Sequence, residues 1–291
     1  MKDSVANRHI EIKVSEFYAA DGLNHWLSCP CCHAAFHFVD GDVCPRCGRS
    51  LSLEVYPEET VTETIWYCNS VISLTTMPER GPRIEPVLDS LLAQGLDVYL
   101  WLPKVVARTG STWNGVPKFF DKVHWEFVDD MGPATKLLPA IQAGFDTILT
   151  ADDDHVYGPG WAKGLIDWAE KRPDAALGYR GRRLKKNEGY AGSKCVKNPR
   201  EPVPVDLITG VRGALYNREF FDPSIFDEWQ ACPTNDDITI GAHLHRKGVP
   251  MLVIPRRCDM AKQKHWSAKP AFKVNRGAVN DSAVRKLYWN L

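Results

Sequence analysis

The stretch Asp146-Thr-Ile-Leu-Thr-Ala-Asp-Asp-Asp-His-Val-Tyr157 joins a short run of β-forming residues to three consecutive aspartates. The run Asp146–Thr150 predicts a buried strand, because aliphatic and β-branched side chains favour the extended conformation. Asp152, Asp153 and Asp154 then follow the carboxyl end of that strand, which is where open α/β sheets bind ligands. Adjacent carboxylates repel one another and cost stability, so we expect them either to bind a cation or to belong to a site that uses their negative charge.

The acidic triplet has two interpretations. Asp152 and Asp154 are two residues apart, so they project from the same side of an extended segment. Hard oxygen ligands of this kind suit Mn²⁺ or Mg²⁺ attached to a diphosphate. In the alternative, the carboxylates cap the first turn of a following helix by accepting its N–H groups. The residues favour the metal site and leave the helix cap open.

The rest of the chain after residue 60 predicts the sheet to which this strand belongs. Runs rich in β-branched and aromatic residues alternate with segments of helical apolar spacing. That alternation is typical of an α/β domain with a largely parallel sheet. The predicted strands are Ser70–Thr75, Asp97–Leu102, Val123–Val128, Asp146–Thr150, 205–209 and 250–254, and the predicted helices span 83–94, 135–143, 160–171 and about 236–247.

Composition excludes several classes of protein. The 291 residues are 44% hydrophobic, which is enough apolar material for a packed core and excludes disorder as the main state. Lys and Arg total 36, as do Asp and Glu, so there is no overall cationic field and a nucleic acid partner is not expected. No apolar run approaches the roughly 20 residues of a membrane helix. The first residues also lack the apolar core of a signal peptide, so we expect a soluble, cytoplasmic protein.

Cysteines cluster near the N-terminus in two C-x-x-C motifs. Cys29-Pro-Cys-Cys32 and Cys44-Pro-Arg-Cys47 are separated by eleven residues, a spacing that lets four thiolates surround Zn²⁺ tetrahedrally. We therefore predict a zinc ribbon over about residues 26–50, within an N-terminal segment 1–60. The polar stretch Tyr56–Thr60 would link it to a second domain, 61–291.

The sequence offers more than four candidate ligands for the zinc ion. Cys31 competes with its neighbours, and His33 or His37 could replace one thiolate. A closed Cys₄ site is structural and folds a segment too small for its own core, whereas a catalytic zinc needs an open position. The structural role is the one we expect.

Two further segments carry charge. Asp236 and Asp237 open a predicted helix, where acidic residues are favourable with the helix dipole. Alternatively, one of these carboxylates is a general base that takes a proton from an attacking hydroxyl. The segment from Arg180 to Arg200 has eight Lys or Arg and one acidic residue, so it is either a loop that closes over phosphates or a solvated loop. A second basic stretch, 262–276, contains His265.

Five motifs of the second domain occur in one characteristic order. Together they resemble bacterial nucleotide-sugar-dependent glycosyltransferases of the glycosyltransferase A fold, similar to family 2, over about residues 66–256. The N-terminal ribbon is not part of the usual core of that family. The motifs are Ile72-Ser-Leu-Thr75, Gly132-Pro-Ala-Thr-Lys136-Leu, Thr150-Ala-Asp-Asp-Asp154-His-Val-Tyr157, Gly210-Val-Arg-Gly213-Ala-Leu-Tyr216 and Asn235-Asp-Asp237-Ile.

The resemblance implies a fold, a donor and a reaction. It implies a mixed Rossmann-like sheet flanked by helices, a nucleotide-sugar donor that is most often a UDP-sugar, Mn²⁺ or Mg²⁺, and transfer to an acceptor hydroxyl with inversion. Asp237, beside Asp236, matches the catalytic motif and would be the base. The implied site residues are Asp154, Asp152 and His265 for the metal and Asp152, Asp153, Lys136 and Thr75 for the donor.

Two other functions are compatible with parts of the sequence. A zinc-ribbon protein that binds nucleic acid or another protein through an inactive transferase-like domain would explain the ribbon and the basic segments. A sugar nucleotidyltransferase would also use carboxylates and Mg²⁺ on an α/β sheet, but it would release pyrophosphate. The sequence names neither the sugar nor the acceptor.

Overall fold

The computed structural model describes two short N-terminal strands and most of the chain after residue 69. The chain divides into two units, Met1–Asn69 and Ser70–Leu291. Because the predicted zinc ligands lie outside the described residues, the ribbon and the boundary after residue 60 stay predictions. The described residues are 26–28, 35–37, 70–256, 258–262 and 278–290.

Fifteen short strands occur in the described residues. Those of the first unit, Trp26–Ser28 and Ala35–His37, pair antiparallel with Trp26 opposite His37. The strands are β1 Trp26–Ser28, β2 Ala35–His37, β3 Ser70–Thr75, β4 Asp97–Pro103, β5 His124–Val128, β6 Thr147–Thr150, β7 His155–Tyr157, β8 Ala176–Gly178, β9 Arg180–Arg183, β10 Lys194–Lys197, β11 Val203–Pro204, β12 Leu207–Ile208, β13 Ala214–Asn217, β14 Met251–Val253 and β15 Met260–Lys262.

Eight of these strands form the central sheet of the second unit, in the order β11-β14-β8-β13-β6-β3-β4-β5. Strands β6, β3, β4 and β5 are mutually parallel, and β14 is parallel to β8. Strand β13 runs antiparallel to both of its neighbours, β6 and β8. Six of the eight strands therefore end at one edge of the sheet, which we call the carboxyl edge. The mixed α/β class predicted from the sequence is confirmed.

Helices cover both faces of this sheet. Alternate residues of one strand enter different cores: Ile72 packs with the helices Glu85–Leu92 and Trp161–Lys171, and Val71 packs with the helices Leu138–Gln142 and Asp236–Arg246. Because both faces are buried, the strand carries apolar and hydroxyl side chains and no charged residue. The helices are α1 Glu85–Leu92, α2 Leu138–Gln142, α3 Trp161–Lys171, α4 Ile225–Glu228, α5 Asp236–Arg246 and α6 Ala278–Trp289.

The helix predicted over 135–143 is wrong in its first half. Residues Gly132–Lys136 form a 3₁₀ turn, and α2 begins only at Leu138. Pro139 has no N–H, and in a continuous helix its ring would clash with the carbonyl of Thr135. The turn therefore ends before the α-helix starts, which leaves Lys136 pointing into the sheet edge.

The basic segment between Arg180 and Arg200 is more regular than predicted. Strands β9 and β10 pair antiparallel within it, and β12 joins them in a three-stranded sheet. The C-terminal helix α6 holds the intervening turn, since Asp281 accepts a hydrogen bond from the N–H of Ala191 at 2.8 Å. The segment is thus a packed hairpin and not a solvated loop.

The direction of the strand connections reverses between β3 and β6. From β3 the chain proceeds outward to β4 and β5, and it then returns to β6 on the other side of β3. Ligands of open α/β sheets bind at such a reversal of strand order. The crevice between the ends of β3 and β6 is therefore the expected ligand site. Within the described residues, no helix has both the length and the apolarity needed to cross a membrane.

Candidate active site

The end of β6 carries a group of side chains suited to a metal ion. Ligand atoms of Asp152, Asp154 and His155 all lie within 4.8 Å of one another. Two carboxylate oxygens and one imidazole nitrogen form a donor set that suits Mn²⁺ and accommodates Mg²⁺. No helix follows the triplet directly, because strand β7 begins at His155, so the helix-cap interpretation is wrong.

Asp154 is held as an ionised carboxylate. Its Oδ1 lies 2.6 Å from Nδ1 of His155, and its Oδ2 lies 3.4 Å from Nζ of Lys262. Burial acts to raise the pKa of Asp154, but the hydrogen bond and charge of His155 and the charge of Lys262 outweigh burial and lower that pKa. A carboxylate that stays charged at neutral pH is what a cation requires.

Asp153 faces the other way, toward the end of β3. It accepts hydrogen bonds from Thr76 Oγ1 at 2.8 Å and from Arg80 Nη1 at 2.7 Å, and it is buried. Burial raises the pKa of Asp153, and the Arg80 charge and the Thr76 hydroxyl partly offset this shift. Asp153 therefore links the ends of β3 and β6, and its contact with the donor stays a prediction.

Lys136 joins the two acidic parts of the site. Its Nζ lies 3.1 Å from Oδ1 of Asp152 and 3.3 Å from Oδ2 of Asp236, and its side chain is 9% exposed. Burial acts to lower the pKa of Lys136, but the charges of Asp152, Asp236 and Asp237 outweigh burial and hold that pKa well above its usual value. The ammonium is thus an internal counter-ion between the end of β6 and the start of α5.

The position of Lys136 is fixed from two sides. Its backbone oxygen accepts a hydrogen bond from Ser73 Oγ at 2.5 Å, and Trp101 Nε1 donates to the same hydroxyl at 2.9 Å. At Gly210, an added Cβ would lie 2.7 Å from Nζ of Lys136. The glycine therefore leaves the space that the ammonium fills.

Asp237 lies at the start of α5 and is held by the backbone of Gly210. Its Oδ1 accepts a hydrogen bond from the N–H of Gly210 at 2.8 Å, and the residue is half-buried. Burial and the charge of Asp236 raise the pKa of Asp237 to about 7, although Lys136 and the Gly210 N–H act against this shift. A base with a pKa near the working pH is best placed for proton transfer.

The remaining predicted residues fall into two groups. Thr75 donates its hydroxyl hydrogen to the carbonyl oxygen of Trp101 at 2.8 Å, so its contact is within the sheet. His265 and the zinc-site residues Cys29, Cys31, Cys32, His33, Cys44 and Cys47 lie outside the described residues, as does the His37 side chain.

Sequence reasoning missed His155 as a ligand candidate. The signal was present, because this histidine directly follows the acidic triplet and begins β7, which holds it beside Asp154. The pairing of β7 with β15, in which His155 lies opposite Lys262, depends on residues distant in sequence. Tyr190 was missed too: its pKa is raised by burial and then by the negative charge of Asp237.

The chain is similar to solved structures but matches no family model and no curated protein. Among the solved structures to which it is similar is the crystal structure of GalNAc-T7 with UDP, GalNAc and Mn²⁺, with 13% identity and a TM-score of 0.49. The match covers 76% of this chain and 49% of that one, so the chain spans about half the length of the solved protein. The function is therefore inferred from the arrangement of the chain's own side chains.

Proposed function

We propose that this chain is a metal-dependent glycosyltransferase that moves a sugar from a nucleoside diphosphate, most simply a UDP-sugar, to an acceptor hydroxyl with inversion. The main support for this proposal is the pair of contacts that Lys136 makes with Asp152 and Asp236. This one buried ammonium links a metal-capable acidic group at the end of β6 to a carboxyl pair at the start of α5. A leaving-group site and a base site side by side are what a single displacement needs.

Asp152, Asp154 and His155 would hold Mn²⁺ or Mg²⁺. A bound divalent ion supplies positive charge that stabilises the departing nucleoside diphosphate. The crevice between β3 and β6 borders this group directly, and Asp153 braces its walls through Thr76 and Arg80. The nucleotide therefore belongs on the β3 side of the acidic group.

Asp237 performs the proton chemistry. It takes the proton from the acceptor hydroxyl as that oxygen forms a bond to the anomeric carbon. The bond from the anomeric carbon to the diphosphate oxygen breaks in the same step, and its electron pair leaves with the diphosphate. Because the nucleophile attacks opposite the leaving group, the anomeric configuration inverts. Gly210 N–H and Lys136 hold the carboxylate and its partner, Asp236, in place.

Product analysis tests this proposal. The protein is incubated with a panel of UDP-sugars and Mn²⁺, and the released nucleotide is separated by chromatography, with water as the default acceptor. We expect slow release of UDP that stops on chelation and falls about 100-fold or more in Asp237→Asn, the order expected for loss of a general base. Glu219→Gln, a change on the surface at the opposite edge of the sheet, serves as the control.

Two results would contradict the proposal. Formation of pyrophosphate from UTP and a sugar phosphate would identify a nucleotidyltransferase instead. Release of UDP at an equal rate in Asp237→Asn would remove the base from the mechanism.

A further inference from the structure

A group of four arginines shares the carboxyl edge with the acidic site. Arg180 follows β8, Arg212 precedes β13, and Arg256 follows β14, and these three strands are consecutive neighbours in the sheet. Backbone contacts draw the segments together, since Tyr179 N–H donates to Gly213 O at 3.4 Å and Ile254 N–H donates to Gly178 O at 3.0 Å. The arginine group therefore lies on the side of β6 away from β3.

Strand β9 presents two of these arginines on one face. Arg180 and Arg182 are two residues apart, so they share a face of the strand. Cys195 of β10 lies opposite Arg182, and its sulfur accepts a hydrogen bond from Arg180 Nε at 3.4 Å. At Gly181, an added Cβ would meet the core side chain of Val253 at 2.8 Å. The arginines thus project away from the core.

The positive charge of the group is not neutralised within the part of the chain that the structure describes. None of the four arginines forms an ion pair there. Arg182 donates from Nη1 to Ser193 Oγ at 2.9 Å and lies 4.3 Å from the centre of the Tyr190 ring, but its buried Nε has no hydrogen-bond partner. Half-buried guanidinium groups with unused donors are suited to bidentate contacts with an oxyanion.

Arg212 also occupies a backbone conformation that favours glycine. Its φ is +94°, and Trp161 Nε1 donates to its carbonyl oxygen at 2.8 Å, which holds the turn. A long side chain in this region of φ is uncommon, and such residues concentrate at functional sites. Burial and the charges of Arg256 and Arg180 lower the pKa of Arg212. The like charges of the neighbouring arginines therefore disfavour the charged form of this side chain.

The arginine group adjoins the base and not the nucleotide crevice. Tyr190 lies under Arg182 and feels the charge of Asp237, so it connects the two. The crevice between β3 and β6 lies on the other side of the acidic residues. A ligand group at the arginines would therefore approach Asp237 from the side opposite the nucleotide, which is the side from which an acceptor attacks.

We propose that Arg180, Arg182, Arg212 and Arg256 form a subsite for a negatively charged acceptor, which carries a phosphate, sulfate or carboxylate near the hydroxyl that is glycosylated. That the bound molecule is the acceptor rests on the proposed function. The anion subsite itself is inferred from the positions of the four arginines alone.

Binding measurements without catalysis test the subsite. Inorganic phosphate is titrated in the presence of a chelator while the Nε–H resonances of arginine are followed by NMR. We expect saturable shifts and a loss of phosphate affinity of about tenfold or more in Arg180→Gln/Arg212→Gln. The control pair is Arg172→Gln/Arg218→Gln, which removes the same charge at the opposite edge of the sheet and should bind phosphate like the wild type.

A second variant separates binding from folding. Arg212→Gly removes the guanidinium and also relaxes the backbone at φ +94°, so it should melt no lower than the wild type. Weakened phosphate binding in this stable variant supports the subsite. Unchanged phosphate affinity in both arginine variants would overturn it.

The same variants are then titrated with UDP and Mn²⁺. We expect the affinity for UDP to stay within about twofold of the wild type, because the nucleotide lies on the β3 side. A tenfold loss of UDP affinity would instead assign the arginines to the donor diphosphate and overturn the acceptor role. Phosphate binding with no UDP binding in the wild type would refute the proposed function while leaving the anion subsite intact.

Discussion

Replacement of Lys136 by methionine should destabilise the second unit severely. The substitution keeps the length and apolar volume of the side chain and removes only the ammonium. Two carboxylates, Asp152 and Asp236, then lose the counter-ion that lies 3.1 Å and 3.3 Å away. Because the lysine side chain is 9% exposed, water cannot replace the lost charge without opening the sheet edge.

The magnitude follows from the cost of a buried charge left without its partner. Removing one member of a buried ion pair costs about 3–5 kcal/mol. For a domain of this size, each kcal/mol lowers the melting temperature by about 2–4 °C, so the expected fall is roughly 6–20 °C. The exposed pair between Lys163 and Asp167 is the matched control, because Lys163→Met removes a surface contact worth about 1 kcal/mol or less.

The loss should also depend on pH. The pKa of Asp237 is raised to about 7 by burial and the charge of Asp236, so the folded protein binds a proton that the unfolded chain has already released. Stability therefore falls as pH rises from the ordinary carboxyl pKa through about 7. Without Lys136 the nearby carboxyl pKa values rise further, so the variant should be more strongly destabilised at pH about 8 than at pH about 5.

Thermal unfolding followed by circular dichroism measures both effects. A Lys136→Met variant that melts within about 2 °C of Lys163→Met at both pH values would refute the role of the ammonium as an internal counter-ion. Adding Asp236→Asn to Lys136→Met should restore part of the stability, because it removes one of the two carboxylates left without a counter-ion.

Three further predictions concern the base, the glycine and the ribbon. UDP release should rise with pH through about 7 as Asp237 ionises, and Asp236→Asn should move this profile to lower pH because it removes a like charge. Gly210→Ala should lower the free energy of unfolding by about 1–3 kcal/mol through overpacking, because its Cβ would lie 2.7 Å from Lys136 Nζ. The same variant should release UDP more slowly, and Val211→Ala is the neighbouring control. Elemental analysis should find one Zn²⁺ per chain, and Cys29→Ser/Cys44→Ser should abolish it; zinc retained in that variant would contradict the predicted ligand set.

The central strands could be predicted from sequence because they are buried on both faces. Ser70–Thr75 is found with the predicted bounds, and the strands predicted at 97–102 and 146–150 agree within one residue. Within each of these strands, apolar and hydroxyl side chains run on without an internal charged residue, which suits burial on both faces. The edge strand His124–Val128 also agrees within one residue, although it is largely exposed. The acidic end of β6 follows from the same pattern, since a charged triplet cannot continue a buried strand.

The hairpin of β9 and β10 and the helix α6 could not be predicted in this way. The hairpin is rich in charged residues, and both elements are held by contacts distant in sequence, such as Trp289 Nε1 donating to Glu188 O at 3.0 Å. The role of Lys136 depends equally on tertiary structure. The motif around Gly132 indicates a donor contact, but only the fold shows that the ammonium lies between two carboxylates.

Calorimetric titration with UDP measures whether the acidic group at the end of β6 forms a metal-dependent nucleotide site. Wild type, Asp154→Asn and His155→Ala are titrated with UDP in the presence and absence of Mn²⁺, with Asp129→Asn as an exposed carboxylate control. We expect binding that requires Mn²⁺ in the wild type and the control and is weakened at least about tenfold in the two site variants. UDP binding that is equally strong without Mn²⁺, or unchanged in Asp154→Asn, would contradict a metal-dependent donor site at the end of β6.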